Sequence, residues 1–478
     1  MSVMKQQVFI ITVVSSTMTA PYFPARSVLF RKESNGVTYR VPALLYLPRC
    51  SSFLAFCEER LSPSDSQAHL LVMRRGTFYR NYVEWEDMNA LGTAYLPGHR
   101  SMNPCPVYDD FTGTLFLFFI AILGHTTESF QLATGKNLTR LCYVSSTDKG
   151  VTWSPATDLT QQVIGDTLKE WATFALGPGH GIQLKSGRLL VPAYAYHIEC
   201  KQCFGKLCQT SPRSFCFHSD THGRTWCFGE TVPGPETVEC QVVSVDEEDG
   251  TNFLYCNARS RLGFRVQALS LDDGATFQEG QLVQRLVEPR NGCHGSVVGF
   301  PAPLHLHLDL RSASRQLTQS SKHDLTSLVP SQKTTSPDFL SPTWVVYSHP
   351  TWTSARKDLG VFLSLYPRDP DSWRGPWVIY EGPCAYSDLV YVELPPSYGS
   401  PPAVAFACLL ECGARTAYDE ICFCIFTLYE LIDNLPPGNP LVHRDYNKQQ
   451  RHEANTGGCE VLHVKKRRRK LGDFCALS

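Results

Sequence analysis

The sequence predicts an all-β fold, and three observations support this prediction. Helical periodicity is hard to find along the chain. Short runs rich in β-branched and aromatic residues occur throughout, and turn residues separate them. An eight-residue motif also recurs after such runs. The predicted strands include residues 115–123, 189–196, 253–257, 266–270, 344–348, 361–366 and 421–428.

The recurring motif has the form Ser-x-Asp-x-Gly-x-Thr-aromatic. Clean copies begin at Ser146 and Ser270, and a third copy beginning at Ser219 carries Thr221 in place of the aspartate. In a tight hairpin the Ser and Asp side chains bond nearby backbone, Gly supplies a positive φ, and the aromatic ring anchors the turn. The copies begin 73 and 51 residues apart, a spacing that suits propeller blades of four strands each.

Composition restricts the class of protein. The 478 residues are 43% hydrophobic, enough for one large domain or two to three ordinary ones. The net charge of -1 predicts no nucleic-acid partner. No apolar run reaches the roughly 18–20 residues of a membrane span, and the N-terminal apolar run is too short for a signal peptide, so we expect an unsecreted protein. The nineteen scattered cysteines are typical of reduced, buried thiols.

The chain divides into a large central domain and two flanking segments. We expect a variable N-terminal segment at 1–25, a β-domain at 26–431 and a disordered tail at 432–478. Residues 301–342 are rich in Ser, Thr and Gln and have little periodicity, which indicates a flexible insertion between strands.

The tail carries two features that together favour a membrane surface as partner. Its last residues, Cys475-Ala476-Leu477-Ser478, fit a C-terminal farnesylation box on Cys475. Upstream lies the basic run Lys465-Lys466-Arg467-Arg468-Arg469-Lys470. One lipid chain combined with a polybasic patch forms a stable anchor. The alternative is a basic tail or nuclear localisation signal with a chance cysteine. We therefore expect a cytoplasmic or peripheral membrane protein.

Several segments in order along the chain resemble the sialidases. Tyr39-Arg40-Val41-Pro42 resembles the Arg-Ile-Pro motif of that family, and the octets resemble its Asp boxes. Residues 98–106 (GHRSMNPCP) are similar to the vertebrate enzymes of the cytosolic and plasma-membrane group. Residues 171–181 (WATFALGPGHG) and 192–196 (PAYAY) look closest to the membrane-associated, ganglioside-preferring type. The resemblance runs from about residue 27 to 431.

The resemblance implies a six-bladed β-propeller with an exo-α-sialidase site at its central axis. Arg40, Arg259 and Arg356 match the arginine triad that holds the substrate carboxylate, a task suited to the bidentate, always charged guanidinium. Glu411 matches the acid that orients the first arginine. A carboxylate partner is reasonable, because three unpaired arginines at one point would repel each other.

The resemblance also implies the residues of catalysis. Tyr386 matches the nucleophile; a neutral phenol avoids the repulsion between a carboxylate nucleophile and the substrate's own carboxylate. Because phenol is a weak nucleophile, it needs a base, and Glu239 matches that role. Asp65, in a loop rich in Ser and Pro, matches the acid/base that protonates the leaving oxygen. This mechanism needs no metal or cofactor.

Further residues match contacts around the sugar ring. His294 stands where the family pattern leads us to expect glutamine, so no role is carried over to it. The implied contacts are Glu58 and Arg60 at the 4-hydroxyl, Met102 and Asn103 at the N-acetyl side, and Glu128, Tyr194 and Tyr196 at the glycerol chain. Val41, within the Arg40 motif, is a further expected substrate-binding residue.

The expected substrate is a sialylated glycolipid, a ganglioside above all, with oligosaccharides or glycoproteins as further candidates. The alternative function is a non-catalytic sialic-acid-binding propeller, which would keep the arginines and lose Tyr386, Glu239 or Asp65. An interaction protein built from the same octets would lack the arginine triad. Transfer to a second sugar would need an acceptor site that the sequence does not reveal.

Overall fold

The computed structural model describes residues 22–79, 82–203, 207–303, 306–307, 341–394 and 403–436. In these residues the chain folds into antiparallel sheets whose strands mostly follow one another in chain order. The predicted all-β class is confirmed, and each predicted run lies within or largely overlaps a strand. The sheets form a propeller-like arrangement; the count of six blades stays a prediction.

The first strand is separated in sequence from the sheet it joins. This strand, β1 (Arg26–Arg31), joins the last sheet of the chain, as described below. Three sheets then form in succession. The first contains β2 (Thr38–Leu47), β3 (Ser52–Arg60), β4 (Ala68–Tyr79), β5 (Tyr82–Trp85) and β6 (Asn89–Ala90). The second contains β7 (His99–Asp109), β8 (Thr114–Leu123), β9 (Thr139–Ser146) and β10 (Thr157–Asp158). The third contains β11 (Trp171–Leu176), β12 (Ile182–Gln183), β13 (Leu189–Cys203), β14 (Leu207–Ser219) and β15 (Cys227–Phe228).

The second half of the chain adds a four-stranded sheet and a seven-stranded sheet. The four-stranded sheet contains β16 (Cys240–Asp246), β17 (Asn252–Ala258), β18 (Phe264–Ser270) and β19 (Gln281–Val287). The larger sheet contains β20 (Ser296–Pro301), β21 (Thr343–Pro350), β22 (Lys357–Ser364), β23 (Trp373–Leu394), β24 (Ala403–Cys412), β25 (Glu420–Thr427) and β1.

The long strand β23 explains why seven strands share one sheet. Its N-terminal half pairs with β22, up to Pro383 opposite Lys357. Its C-terminal half pairs with β24, from Cys384 opposite Cys412 onwards. One strand of 22 residues therefore connects two groups of strands, and β1 completes the second group by pairing with β25.

Helices are short in the described part of the chain. Helix α1 (Glu128–Thr134) begins after Thr127, whose side chain accepts a hydrogen bond from the Phe130 N–H. Helix α2 (Leu428–Asn434) begins with a capping box between Thr427 and Glu430. No helix of the described residues is long and apolar enough to cross a membrane. Other helical turns occupy Pro48–Cys50, Asp65–Gln67, Thr160–Ile164 and Gly165–Glu170.

The octets form the tight turns that the sequence predicts. Asp272 Oδ1 accepts hydrogen bonds from Ser270 Oγ at 2.7 Å and from the Thr276 N–H at 2.9 Å. In the degenerate copy Thr221 Oγ1 replaces the carboxylate and accepts from the Thr225 N–H at 2.8 Å. The octet glycines have φ values of +80°, +79° and +83°, a region that favours glycine. These contacts are local, as expected for a structural motif.

The cysteines largely follow the prediction. Fifteen cysteines of the described residues are free thiols, and twelve of these are buried. Cys408 and Cys424 face each other across β24 and β25 within an apolar cluster, where a thiol serves as a small hydrophobic group. Cys200 is the exception, because it is disulfide-bonded.

Buried Asp388 ties several sheets together beneath the site. It lies on β23 and is fully enclosed. Its carboxylate accepts from the Leu44 N–H of β2 at 2.7 Å and from Ser296 Oγ of β20 at 2.9 Å, and it meets His180 Nδ1 at 2.8 Å. Asp388 therefore fixes the part of β23 that directly follows Tyr386.

Several predictions lie wholly or mostly outside the described residues. They concern most of the N-terminal segment 1–25, most of the insertion 301–342, and the tail with Lys465–Lys470 and Cys475. The first described strand begins at Arg26 and α2 ends at Asn434. The proposed domain boundaries stay predictions.

Candidate active site

The site is built around an arginine fixed by a buried glutamate. Arg40 lies in β2, and its Nε donates to Glu411 Oε1 on β24 at 3.1 Å. The same carboxylate accepts from the backbone N–H groups of Val41 at 2.8 Å and Tyr386 at 3.1 Å. Val41 has a φ of +59°, so its N–H donates to Glu411 from a left-handed conformation. Glu411 therefore fixes β2 and β23 together with the guanidinium.

Two further arginines reach the same place from other sheets. Arg259, just after β17, donates from NH1 to Glu239 Oε2 at 2.8 Å and to the Tyr386 hydroxyl at 3.3 Å. Arg356 donates to the Gly292 carbonyl at 3.1 Å, and its guanidinium carbon lies 5.4 Å from the centre of the Tyr386 ring. Together with Arg40 at 5.7 Å, these side chains surround one tyrosine.

Tyr386 and Glu239 form a directly hydrogen-bonded pair. The phenol donates to Glu239 Oε1, and only 8% of Tyr386 is exposed. Burial, followed by the charge of Glu239, raises the pKa of Tyr386 well above its usual value, although Arg259 and Arg356 oppose the increase. Burial also acts to raise the pKa of Glu239, but the charge of Arg259, then His294 and the phenol, lower it overall. The pair therefore holds its proton on the phenol, beside an ionised carboxylate.

Asp65 faces this pair from a short loop after β3. Its Oδ1 accepts from Arg60 NH1 and lies 3.9 Å from Arg40 NH1. The side chain is 72% exposed because it points into the open cleft. Burial of its surroundings acts to raise the pKa of Asp65, but the charges of Arg60 and then Arg40 hold that pKa below its usual value.

Arg60 links Asp65 to the next part of the cleft. Its NH2 lies 2.6 Å from Glu58 Oε2. Glu58 is fully buried, and its Oε1 accepts from the Asn103 N–H at 2.7 Å. Asn103 has a φ of +55°, and 7% of neighbouring Met102 is exposed. The structure thus brings all four of these predicted ring contacts into one connected group.

The predicted glycerol-side residues also face the cleft. The rings of Tyr194 and Tyr196 meet edge to face, with centroids 6.0 Å apart. Glu128 begins α1 on the rim of the cleft and is open to it. Desolvation by the surrounding protein, and then the charges of Asp65 and Glu239, raise the pKa of Glu128 to about 7. The carboxylates of this cleft are therefore close enough to influence each other.

His294 lies against the nucleophile candidate. Its ring centroid is 5.3 Å from that of Tyr386, at an interplanar angle of 48°. It is fully buried, and neither ring nitrogen has a hydrogen-bond partner among the described residues. Burial lowers the pKa of His294 to about 4, although Glu239 and Asp388 oppose that decrease. The imidazole is neutral near neutral pH.

Sequence reasoning missed two residues of this site. Tyr418 places its ring 3.9 Å from the guanidinium carbon of Arg40, and its hydroxyl accepts from Arg356 NH1 at 3.5 Å. It lies in the turn between β24 and β25, where only its nearness in sequence to Glu411 could have indicated it. Arg100 is the second residue. It lies in the motif at 98–106, but only the structure shows that its side chain bonds backbone carbonyls.

These contacts define what the cleft can do chemically. Three arginines that surround one position suit a bound carboxylate better than a neutral ligand, even though Arg40 and Arg259 also pair with glutamates. A phenol bonded to an ionised carboxylate is a nucleophile with its base in place. A carboxylic acid opposite that pair suits proton transfer to a leaving group.

Comparison with known proteins agrees with this chemistry. Residues 52–395 match the family described as "BNR repeat-like domain". The chain is 48% identical to Sialidase-4 of Mus musculus over 463 residues, covering 87% of this chain and 95% of that protein. It is 44% identical to Sialidase-3 of Homo sapiens over 415 residues, covering 86% and 94% respectively. The chain belongs to the vertebrate sialidase family.

Solved structures agree on the fold. The Hadza microbial sialidase Hz136 superposes with a TM-score of 0.61 at 20% identity, covering 85% of this chain and 69% of that one. An intramolecular trans-sialidase from Ruminococcus gnavus superposes with a TM-score of 0.58 at 15% identity, covering 86% and 98%. The predicted family is thus confirmed. These identities do not separate the subtypes, since Sialidase-2 of Mus musculus is also 46% identical over 408 residues, covering 84% of this chain and 95% of that protein.

Proposed function

We propose that this protein is a retaining exo-α-sialidase that hydrolyses terminal sialic acid, with Tyr386 as nucleophile. The observation that carries the proposal is the Tyr386 phenol, hydrogen-bonded to Glu239 and surrounded by three arginines. Family membership supports the substrate class, because Sialidase-2, Sialidase-3 and Sialidase-4 are named for this activity.

Arg40, Arg259 and Arg356 bind the carboxylate on the anomeric carbon of the substrate. Glu411 keeps Arg40 in place from behind, so the open side of its guanidinium faces the cleft. The remaining roles follow the resemblance: Glu58 and Arg60 at the 4-hydroxyl, Met102 and Asn103 at the N-acetyl group, and Glu128, Tyr194 and Tyr196 at the glycerol chain. Val41 is a further substrate-binding residue.

The first chemical step forms a covalent sialyl-enzyme. The Tyr386 oxygen attacks the anomeric carbon, and the phenol proton passes to Glu239. The bond from the anomeric carbon to the leaving oxygen breaks, and that oxygen takes a proton from Asp65. In the second step water attacks the same carbon, Asp65 accepts the water proton, and the Tyr386 oxygen leaves and regains its proton from Glu239. Two displacements retain the configuration.

Substrate binding prepares Asp65 for its role as an acid. In the free protein Arg60 and Arg40 hold its pKa low, so it is ionised. A bound carboxylate neutralises Arg40 and brings negative charge close to Asp65. Both effects raise the pKa of Asp65 and favour the protonated form when a substrate is present.

The number of blades, the substrate class and the membrane attachment extend this proposal. The division of the seven-stranded sheet within β23, into the groups β20 to β23 and β23 to β1, supports six blades. The motifs at 171–181 and 192–196 support a ganglioside as substrate. The basic run at 465–470 and a farnesylated Cys475 would hold the enzyme on the cytoplasmic face of a membrane, whereas most sialic acid faces outward.

The test compares the wild type with Tyr386→Phe on a fluorogenic aryl sialoside. We expect release by the wild type and a loss of at least about a thousand-fold in kcat for the variant, since the nucleophile is gone. Tyr391→Phe is the matched control, because Tyr391 lies on the same strand and bonds only exposed Glu393. Proton NMR of the first product should show the α-anomer.

Each outcome bears on the proposal. If folded wild type releases nothing but binds sialic acid, the protein is the binding propeller instead. If Tyr386→Phe retains the activity of Tyr391→Phe, another group is the nucleophile. A first product in the β-configuration would contradict retention.

A further inference from the structure

Arg100 is a buried arginine bonded to backbone carbonyls from two different loops. It lies in β7, and 5% of it is exposed. Its Nε donates to the Asp65 carbonyl at 3.2 Å. Its NH1 donates to the Gly124 carbonyl at 2.7 Å, and its NH2 to the Thr126 carbonyl at 2.5 Å. One planar side chain therefore holds both segments at once.

Both loops carry charged groups of the cleft. The first carries Asp65, whose own carbonyl is one of the three acceptors. The second runs through Thr126 into α1, which begins with Glu128. Removing the Arg100 side chain would break all three of these bonds at once, one to the first segment and two to the second.

Other contacts also hold the Asp65 loop: buried Arg60 donates to the Asp65 carboxylate, and the Leu61 N–H donates to the Gln67 carbonyl at 2.9 Å. Arg60 NH1 donates to the Pro63 carbonyl at 3.2 Å. His125 Nδ1 lies 3.0 Å from the Ser66 carbonyl in an exposed position. Asp65 itself occupies a single short helical turn with 72% of its side chain exposed. Arg100 is thus the buried contact to the backbone of the residue that we assign as the acid.

Burying a guanidinium that donates only to backbone carbonyls costs desolvation free energy that an apolar side chain would not. Burial lowers the pKa of Arg100, although Glu58 and Asp65 oppose this effect. An apolar residue would fill the same volume without that desolvation. The planar fork of arginine, however, fixes three acceptors in one geometry, which lysine cannot do.

We propose that Arg100 is a positioning residue that holds the loop so that the Asp65 carboxyl reaches the leaving oxygen. This inference rests on the proposed function of Asp65. Its consequence is selective. Loss of Arg100 impairs protonation of the leaving group and leaves Arg259, Arg356 and the Tyr386–Glu239 pair in place, because their hydrogen bonds involve neither Arg100 nor Asp65. Arg40 lies 3.9 Å from Asp65 but keeps its bond to Glu411.

Leaving-group chemistry provides the distinguishing measurement. An aryl sialoside releases a stable phenolate and needs little help from an acid. A sugar alkoxide, as released from sialyllactose, needs a proton as the bond breaks. General acid catalysis contributes roughly 10²–10⁴-fold where it is needed. A variant that misplaces Asp65 therefore loses far more activity on sialyllactose than on the aryl sialoside.

The experiment measures kcat/KM on both substrates for Arg100→Gln, Arg100→Lys, Asp65→Asn and Arg188→Gln. Arg188 is the matched control: it bonds Asp220 and the Asp273 carbonyl at octet turns, away from the Asp65 loop. We expect Arg100→Gln to lose at least about tenfold more on sialyllactose than on the aryl sialoside. Arg100→Lys should lose less, and Arg188→Gln should lose equally little on both.

The outcomes distinguish the proposed role of Arg100 from the proposed role of Asp65, on which it rests. If Asp65→Asn shows the selective loss and Arg100→Gln loses both activities equally, the positioning role is wrong and the acid role stands. If Asp65→Asn loses both activities equally, the acid role fails, and the role of Arg100 fails with it. If Arg100→Gln does not fold, Arg100→Lys takes its place under the same criterion, because it keeps the charge and one donor.

Discussion

At the scale of single residues, the surroundings of each carboxyl group in the site give it a different pKa. Glu239 beside Arg259 has a lowered pKa, whereas Glu128, desolvated near two carboxylates, has a pKa of about 7. Such separation of pKa values is how one cleft keeps a base ionised while another carboxyl titrates near neutral pH. Asp65 belongs with the ionised group until a ligand neutralises Arg40. The proposed role of Asp65 as an acid therefore depends on the bound ligand.

His294 gives a prediction about stability and pH. Its pKa is about 4 in the folded protein and about 6.5 when unfolded, so the unfolded state binds the extra proton between these values. The neutral ring thus contributes stability above pH 6.5 that is lost as pH falls towards 4. We expect wild type to lose on the order of 3 kcal/mol of unfolding free energy relative to His294→Gln between pH 7 and pH 4.

Urea unfolding of both proteins at pH 7, 5.5 and 4 measures this difference. His294→Asn serves as a second non-titrating variant, which separates the loss of titration from the loss of packing against Tyr386. The two variants should differ from each other by a constant amount at every pH. Parallel pH dependence in wild type and His294→Gln would show that the buried imidazole does not titrate in this range.

Prediction from sequence succeeded at this scale where a residue lies inside a local motif. Arg40 and Val41 could be found because their short segment is distinctive by itself, and the structure places them at the shared Glu411 carboxylate. Tyr418 could not, because its contact with Arg40 crosses from one sheet to a distant turn. Arg100 was visible in the sequence, but its function depends on carbonyl acceptors, which any residue carries.

At the scale of elements, the octets show how a sequence pattern becomes a rigid turn. In the clean copies one carboxylate accepts hydrogen bonds from a serine hydroxyl and a threonine backbone N–H at once. In the third copy Thr221 has only a hydroxyl, which bonds the backbone and side chain of Thr225 and makes a longer contact of 3.4 Å with Ser219 Oγ. The degenerate turn keeps the shape with weaker, uncharged hydrogen bonds.

This difference predicts unequal effects of alanine substitution. Asp272→Ala removes a charged acceptor from several donors and should lower the unfolding free energy by about 1.5 kcal/mol, a value reduced because the site is exposed. Thr221→Ala removes a neutral acceptor and should cost about half as much. Thermal and urea unfolding compare the two. A larger loss at Thr221 would contradict the proposed hydrogen-bond origin of turn stability.

Strand prediction had a physical limit at β23. Short apolar runs predict strands well because burial on both faces selects such residues, as in β8 and β17. The run of 22 residues in β23 contains Gly375, Pro376, Gly382 and Pro383, which normally mark turns. Its continuity depends on two different neighbours, β22 and then β24, which local sequence cannot reveal.

At the scale of the whole molecule, distant segments close the structure and create the site together. β1 pairs with β25, so the first strand completes the last sheet. Asp388 bonds groups from three other parts of the chain, and Glu411 bonds two, the segments of Arg40 and Tyr386. Both carboxylates lie behind the site rather than in it. The propeller-like arrangement is thus a condition for the chemistry, and sequence alone suggested it only through octet spacing and family resemblance.

The tail leads to the last prediction, which concerns where the whole molecule resides. If Cys475 is farnesylated, the lipid and the six basic residues at 465–470 act together, with about 1 kcal/mol per basic residue near an anionic surface. Cys475→Ser should then move the expressed protein from the membrane pellet to the supernatant of fractionated cells, without changing kcat/KM on a soluble aryl sialoside. Cys227→Ser, which removes an exposed thiol of the β-domain, is the matched control and should stay with the membranes.

Neutralising the basic run should give partial release that increases with salt, because the electrostatic part of binding is screened. If Cys475→Ser and wild type distribute equally, the terminal box is not an anchor, and any membrane association must arise from another part of the chain.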